Sequence, residues 1–395
     1  MKIIKLSIFL FCLDMLIGCK EEKHSPHFTD EAPSILAQYS VENLPGAAAI
    51  SYKLADDSHT AYVKAVYTLK EGLTREAKAS KYDNKLMVDG FSESKEYTVA
   101  LYTVGEDEQM SDPVYISVHP DTPPYQKVAA ELDVKPDWGG GKIKGANATS
   151  AKLMIGVLKK DPTTGEWVDV EVFFTENQSF NFNFRGLDPV ETQFGVYTRD
   201  QWQNFSDTVT ATFEPWEEIR LPLTQNNFNP IILPGDALGQ AAYGLKRIFD
   251  GANFSWSDGY YSLNDGTPFP KVITIDLLET YQLSRFKYFQ NGNLYYQSAN
   301  AKHIRIWGNA TLNLDYTTWT LLGEWDNWRP SGRPASTGNA GLTDEDKIAA
   351  QAGNDFDFNL EIPGVRYIRI EALNTWEPRT QVYYPELQFW GRKIK

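Results

Sequence analysis

The chain has 395 residues, enough for two or three domains at ~150 residues each. Hydrophobic residues make up 42% and charged residues 23%, which excludes a largely disordered chain and a multi-span membrane protein. A net charge of −14 without any run of Lys or Arg argues against a nucleic-acid partner, because such a surface repels a phosphate backbone. Aromatic residues reach 13%, which favours β-structure and stacking surfaces over helical bundles.

Residues 1–18, MKIIKLSIFLFCLDMLIG, read as a signal peptide. Lys2 and Lys5 form a basic start, and the apolar stretch after them is too short to span a bilayer. Leu16-Ile17-Gly18-Cys19 resembles a bacterial lipobox, which makes Cys19 the expected lipidation site. Lys20-Glu21-Glu22 resembles the signal that sends Bacteroidetes lipoproteins to the outer face of the outer membrane, so a lipid-anchored, cell-surface location is expected. The other cysteine, Cys12, leaves with the signal peptide, so neither a disulfide nor a thiol-based site is expected. Residues 19–32 are polar and read as a tether.

Residues 33–122 show short strands broken by turns. Val63, Ala65, Tyr67 and Leu69 alternate onto one face, and Tyr97–Tyr102 is a further β-run. Pro120-Asp121-Thr122-Pro123-Pro124 reads as a stiff linker. Residues 123–216 look like a second copy: Tyr102-Thr103 followed by Ser111-Asp112 recurs as Tyr197-Thr198 followed by Ser206-Asp207. Both copies resemble fibronectin type III-like modules in size and strand rhythm, and are expected to act as spacers. Gly139-Gly140-Gly141 lacks the Lys-Ser/Thr of a phosphate loop and reads as a turn.

In residues 217–395, Ile273, Ile275 and Leu277 alternate with Thr274 and Asp276, and Phe356, Phe358, Leu360 and Ile362 with Asp355, Asp357, Asn359 and Glu361. One helix is expected after the N-cap Thr343, with acids in its first turn and Gly353 at its end. This unit resembles a discoidin (coagulation-factor C-type, galactose-binding-like) module. The resemblance is carried by Ile248-Phe249-Asp250-Gly251-Ala252-Asn253-Phe254-Ser255-Trp256, Val272–Leu277, Ile304-Arg305-Ile306-Trp307-Gly308, Trp319–Gly323, Arg366–Ile370 and Glu386-Leu387-Gln388-Phe389-Trp390-Gly391. The expected fold is therefore all-β: two tandem immunoglobulin- or fibronectin III-like sandwiches followed by a discoidin-like, galactose-binding-like jelly-roll. The resemblance implies a structural calcium ion held by Asp250, Asn253, Ser255 and Glu386, with the Arg247 carbonyl as a further partner. Calcium wants several hard oxygens, and this set supplies them.

The whole layout resembles surface lipoproteins of Bacteroidetes glycan-utilisation systems, which implies a glycan ligand and a starch-utilisation-type transporter as partner. A saccharide presents flat C–H faces to aromatic rings and paired hydroxyls to planar Arg and Asn groups. Four stretches offer these groups: Trp325, Trp328, Arg329 and Arg333; Asn374 and Trp376; Tyr295 and Tyr296; and Tyr260 and Tyr261. No nucleophile elbow or His-Glu-x-x-His pattern appears, and His303 reads as a surface or packing residue, so no catalytic residue is assigned. The expected function is a non-catalytic, carbohydrate-binding outer-membrane lipoprotein. The alternatives are a structural or protein-binding surface lipoprotein and, third, a glycosidase accessory enzyme.

Overall fold

A computed structural model describes residues 31–56, 60–252, 259–333 and 341–394. The protein is all-β, as its alternating patterns imply. It divides into two compact units, one built from residues up to Val128 with Arg199–Ser206, the other from Ala129–Thr198 and Asp207 onward.

The first sandwich uses β1 (Gln38–Leu44), β2 (Ala47–Lys53), β3 (Thr60–Lys70), β4 (Leu73–Ser80), β5 (Lys85–Asp89), β6 (Tyr97–Gly105) and β7 (Val114–Val118). They form two sheets, β1-β2-β5 and β4-β3-β6-β7. The alternating residues Val63, Ala65, Tyr67 and Leu69 of β3 are all buried between them. The proline-rich stretch that reads as a linker is instead laced to this sandwich: Asp121 N donates to Leu44 O at 3.0 Å, and Gly46 N to Asp121 O at 2.9 Å. Pro124 then opens helix α1 (Pro124–Ala130), where its missing N–H costs nothing.

The repeat legible in the sequence reappears as topology. Strands β8 (Asp133–Asp137), β9 (Gly140–Ala146), β10 (Leu153–Lys160), β11 (Trp167–Thr175), β12 (Ser179–Phe184), β13 (Thr192–Asp200) and β14 (Val209–Phe213) form sheets β12-β9-β8 and β11-β10-β13-β14. Strand for strand this is the order of the first sandwich. Gly140 and Gly141 open β9, where a Cβ would collide with the Phe184 carbonyl or ring, so this glycine run is a packing requirement.

The C-terminal module contains β15 (Ile219–Arg220), β16 (Tyr260–Tyr261), β17 (Lys271–Phe289), β18 (Ala301–Asn309), β19 (Thr320–Asp326), helix α2 (Asp344–Ala352), β20 (Asn354–Asp357), β21 (Val365–Thr375), β22 (Tyr383–Tyr384) and β23 (Glu386–Lys393). Its main sheet runs β15-β23-β17-β21-β18-β19, with β20 on β17 and a separate β16-β22 ribbon. Ile306 pairs with Ile370 and Ile273 with Ile370, which stacks the predicted inward residues into one core. The expected strand over 355–362 ends at Asp357. Phe356, Phe358 and Ile362 are buried, while Leu360 points outward in the following turn.

The second sandwich and the C-terminal module meet through charge. Buried Glu218 accepts from Ser284 Oγ at 2.6 Å and from Arg285 Nε at 3.2 Å, and lies 3.7 Å from Arg185. Arg185 also reaches Asp357 at 2.8 Å, and Arg285 lies 3.9 Å from the Trp390 ring centre. A carboxylate taken from water in this way needs its cations, and here it has two.

Helix α2 forms where the capping signals place it. Thr343 Oγ accepts from Asp346 N at 3.2 Å, and Asp346 Oδ2 accepts from Thr343 N at 3.0 Å, a capping box. Gly353 closes it at φ +80, open to glycine without penalty. Thr343→Ala removes one acceptor and is expected to cost about 1 kcal/mol, read as a ~2–4 °C drop in the module's thermal transition.

Candidate carbohydrate-binding surface

The four aromatic stretches meet different fates. In the β16-β22 ribbon Tyr260 pairs with Tyr384 and Tyr261 with Tyr383. A period of two sends one cross-strand pair into the core and the other to the opposite face. Tyr260 is therefore core, its hydroxyl donating to Ala237 O at 2.7 Å, whereas Tyr261 is half-exposed. Tyr295 and Tyr296 are both buried, packed with Leu342 and Ala350 under the loop over 291–300. Tyr260, Tyr295 and Tyr296, three of the residues expected to touch glycan, are thus unavailable to a ligand.

The stretch over 325–333 also divides. Trp325, on edge strand β19, folds onto the core, its ring edge-on to Phe286 and Phe358 at 5.1 Å each. Arg329 is 3% exposed, its Nε donating to Asp346 Oδ2 at 2.8 Å and its second nitrogen to Gly341 O. A buried guanidinium requires a countercharge, and Asp346 supplies it from α2. So Arg329 is a structural tie. The acid cluster that reads as helix-terminal electrostatics has this further role through Asp346. Trp328, by contrast, is 68% exposed, and Arg333 is exposed as well. Asn327 anchors Trp328 to the start of β18, with its N donating to Lys302 O at 2.6 Å and its side chain to Ala301 O.

Asn374 and Trp376 remain where a ligand could reach them. They line an open cleft of about 380 Å³ with Phe269, Lys302, Glu377 and Arg379. The Trp376 indole is half-buried, held edge-on by Tyr296 at 5.2 Å, and Lys302 Nζ lies 5.2 Å from its ring centre. Arg379 and Glu377 pair at 2.8 Å, which aims both groups. A second cleft, of about 130 Å³, is lined by Gln240, Tyr243, Tyr261, Asn291, Asn300 and Tyr383 among others. Its tyrosines stand at right angles: Tyr261 is 5.5 Å from Tyr383 at 89° and 6.5 Å from Tyr243 at 77°. Of these lining groups Tyr261 is a named candidate on sequence grounds, and Asn291 and Tyr383 fall in stretches the sequence singles out. Gln240, Tyr243 and Lys302 carry no motif or periodicity of their own. The Tyr383-Tyr384 doublet is the one local signal, and it is ambiguous until the ribbon register is known.

His303 sits half-buried on β18, 2.7 Å from Glu324, with Arg305 on the same acid at 2.7 Å. This is a polar surface cluster built around Glu324.

The metal candidates are described in part, since Asn253 and Ser255 lie outside the described residues, as does Cys19. Glu386 is 2% exposed, and Asp250 follows the 3₁₀ turn Leu245–Phe249. Glu386 Oε2 accepts from Gly251 N at 3.1 Å. Burial, and further the neighbouring Asp250 charge, push the Glu386 carboxyl up to about 7 despite that bond. Two neighbouring acids in a poorly solvated site are the arrangement a hard cation relieves, so the residues present fit calcium. Among the described residues no group of three His, Cys, Asp or Glu side chains could hold a metal ion, so a cation here would also need carbonyl and hydroxyl oxygens.

Three family models match consecutive parts of the chain, each described as a domain of unknown function: DUF4959 over residues 33–120, DUF5126 over 121–224 and DUF5000 over 249–391. No curated protein matches. Among solved structures, a SusE-like protein is 29% identical, with 69% of this chain and 100% of that chain covered and a TM-score of 0.42. The C-terminal domain of a chitobiase from Bacteroides fragilis is 17% identical, covering 45% of this chain and 100% of its own, with a TM-score of 0.30. A GH31 CBM32-2 module bound to GalNAc is 17% identical over 42% of this chain and 99% of its own, with a TM-score of 0.27.

Proposed function

We propose that this protein is a non-catalytic, lipid-anchored outer-membrane protein that binds carbohydrate at the cell surface through its C-terminal module, in a polysaccharide-utilisation system beside a starch-utilisation-type transporter. The observation that carries the reading is the cleft at Trp376. A half-exposed indole stands there among an amide, an ammonium, a carboxylate and a guanidinium. The exposed Trp328 ring adds a second aromatic surface to the module. That combination matches a pyranose, which is apolar on its faces and polyhydroxylated at its edge. No proton-transfer group is needed to hold a sugar, and the Glu377–Arg379 pair serves to fix two hydrogen-bonding edges. The anchor would be Cys19, and the two sandwiches would hold the binding module away from the bilayer.

The test is affinity electrophoresis of the purified protein in gels containing soluble starch, xylan, mannan, galactan, glycol chitin or mucin. Retardation by at least one polysaccharide is expected. Migration unchanged in all of them removes the reading.

A protein-binding role has one observation in its favour. Outer strand β11 exposes Phe174 at 72% together with Trp167, Val168 and Val172. A stable complex with another surface protein, lost in Phe174→Ser and accompanied by no glycan retention, would select it.

Calcium would be held by Asp250 and Glu386 with oxygens of the adjoining loop, and would supply structural charge neutralisation. Removing divalent ions with a chelator is expected to lower the thermal transition of the C-terminal module by several degrees. Added calcium should restore it in the wild type and not in Glu386→Ala.

A further inference from the structure

The second cleft lies outside the sugar site at Trp376, yet the two share a wall. Trp376 N donates to Asn300 O at 3.2 Å, Glu377 N to Ser298 O at 3.1 Å and Tyr383 N to Ala299 O at 2.9 Å. Asn300 and Tyr383 also form a parallel bridge. Segments 298–302 and 376–383 are thus laced together, with the tyrosine cleft reached at Asn300 and Tyr383 and the indole cleft at Lys302 and Trp376. Asn300 and Lys302 are two steps apart along extended chain, about 7 Å, close enough for neighbouring rings of one chain.

The link between the clefts is also chemical. Tyr261 of the tyrosine cleft donates its hydroxyl to Gln381 Oε1 at 3.2 Å, three positions beyond Pro378 of the indole cleft. Burial pushes the pKa of that hydroxyl up, and the Arg379 charge pulls it back, so Arg379 lies within electrostatic reach of both clefts. The segment leading into this shared wall carries backbone strain. Tyr296 and Ser298 take φ of +55 and +54, a left-handed backbone that disfavours residues with a Cβ. Such strain persists where surrounding contacts over-determine it.

The lining of the tyrosine cleft consists of rings, hydroxyls and amides with the aliphatic Leu294 and Ala299, and none of its lining side chains is ionic. We infer that the two clefts are consecutive subsites for one oligosaccharide chain, an uncharged sugar ring resting among Tyr243, Tyr261 and Tyr383 while its neighbour stacks on Trp376. The preferred ligand is therefore at least two linked sugars and not a single one. This rests on the carbohydrate-binding reading and extends it. Filling a second subsite from a chain already held at the first is an intramolecular event, and the affinity gain needs no large contact energy.

The experiment is calorimetric titration of the whole mature chain with size-graded oligosaccharides, from the monosaccharide to the hexasaccharide, of whichever polysaccharide retards it. Affinity is expected to climb at least tenfold between the monosaccharide and the disaccharide and then to level off with longer chains. Tyr261→Ala and Gln240→Ala should each flatten that climb. Gln240 is half-exposed, so it serves if the tyrosine variant fails to fold. Trp376→Ala should weaken every length. A wild-type affinity independent of length overturns the inference, and so does a climb that survives in both cleft variants. Either result, with retention still dependent on Trp376, leaves the sugar-binding reading standing. A protein that binds no saccharide removes both.

Discussion

Trp376→Ala is expected to abolish retardation in the affinity gel and to weaken oligosaccharide binding at least tenfold. A sugar face covering about 60 Å² of indole contributes ~1.5 kcal/mol at about 25 cal/mol per Å², which is a factor of roughly ten. The loss exceeds that figure if Lys302 and Arg379 lose their aim, since Lys302 lies over the same ring. Trp376 also packs on Tyr296, so a folding control is needed. A thermal melt of Trp376→Ala against the wild type provides it, and Trp328→Ala is the companion variant. The Trp328 side chain is mostly solvated, so its removal should move stability by no more than about 0.5 kcal/mol while still reducing affinity. Unchanged binding in both variants would move the sugar site elsewhere.

Asp346→Ala is expected to destabilise the C-terminal module by about 3–5 kcal/mol, well beyond the cost of Thr343→Ala or Trp328→Ala. Asp346 is fully buried and serves four donors: Arg329 Nε at 2.8 Å, Ser331 N at 3.0 Å, Ser331 Oγ at 2.9 Å and Thr343 N at 3.0 Å. Its removal takes the countercharge from a buried guanidinium. Burial alone would raise this carboxyl, but the backbone donors of Ser331 and Thr343, with the Arg329 and Ser331 side chains, outweigh it and hold the group well below the usual carboxylate range. The sign follows from linkage. A carboxyl depressed in the folded state adds stability that is fully present above its unfolded value of about 4 and is lost as pH falls further. Urea titrations at pH 7 and pH 3 should therefore bring wild type and variant closer together at the lower pH. A gap that does not narrow would place the stabilisation in packing and not in charge. Arg329→Met together with Asp346→Leu should recover part of the loss, because an apolar pair leaves no charge unpaired.

Several features of this protein are legible in its sequence because they depend on local chemistry. The cap at Thr343 and the close at Gly353 need only one helical turn each to be read. Alternation in Val63–Leu69 and in Ile304 and Ile306 needs only the pleat of a strand, and those residues are buried as the pattern requires. The duplicated Tyr-Thr and Ser-Asp spacing marks a repeat, and a repeat of sequence folds to the same strand order twice. Composition and alternation together determine the all-β class, and composition alone the strong negative charge.

The proposed binding surface depends on long-range packing, and there the local signal is two-valued. Four tyrosines in two doublets look equivalent in a string, but the register of β16 on β22 sends Tyr260 and Tyr384 into the core and leaves Tyr261 and Tyr383 to line a cleft. Arg329 and Arg333 look alike too, until α2 brings Asp346 against one of them and makes it part of the interior. Trp325 and Trp328 are parted because the first packs on the core rings and the second points to solvent. The second cleft assembles Gln240, Tyr261, Asn291 and Tyr383 from segments far apart in sequence, joined through hydrogen bonds that no spacing rule encodes. Amino-acid type settles which groups can hold a sugar. Burial and register, which arise when distant segments meet, settle which of those groups a sugar can reach.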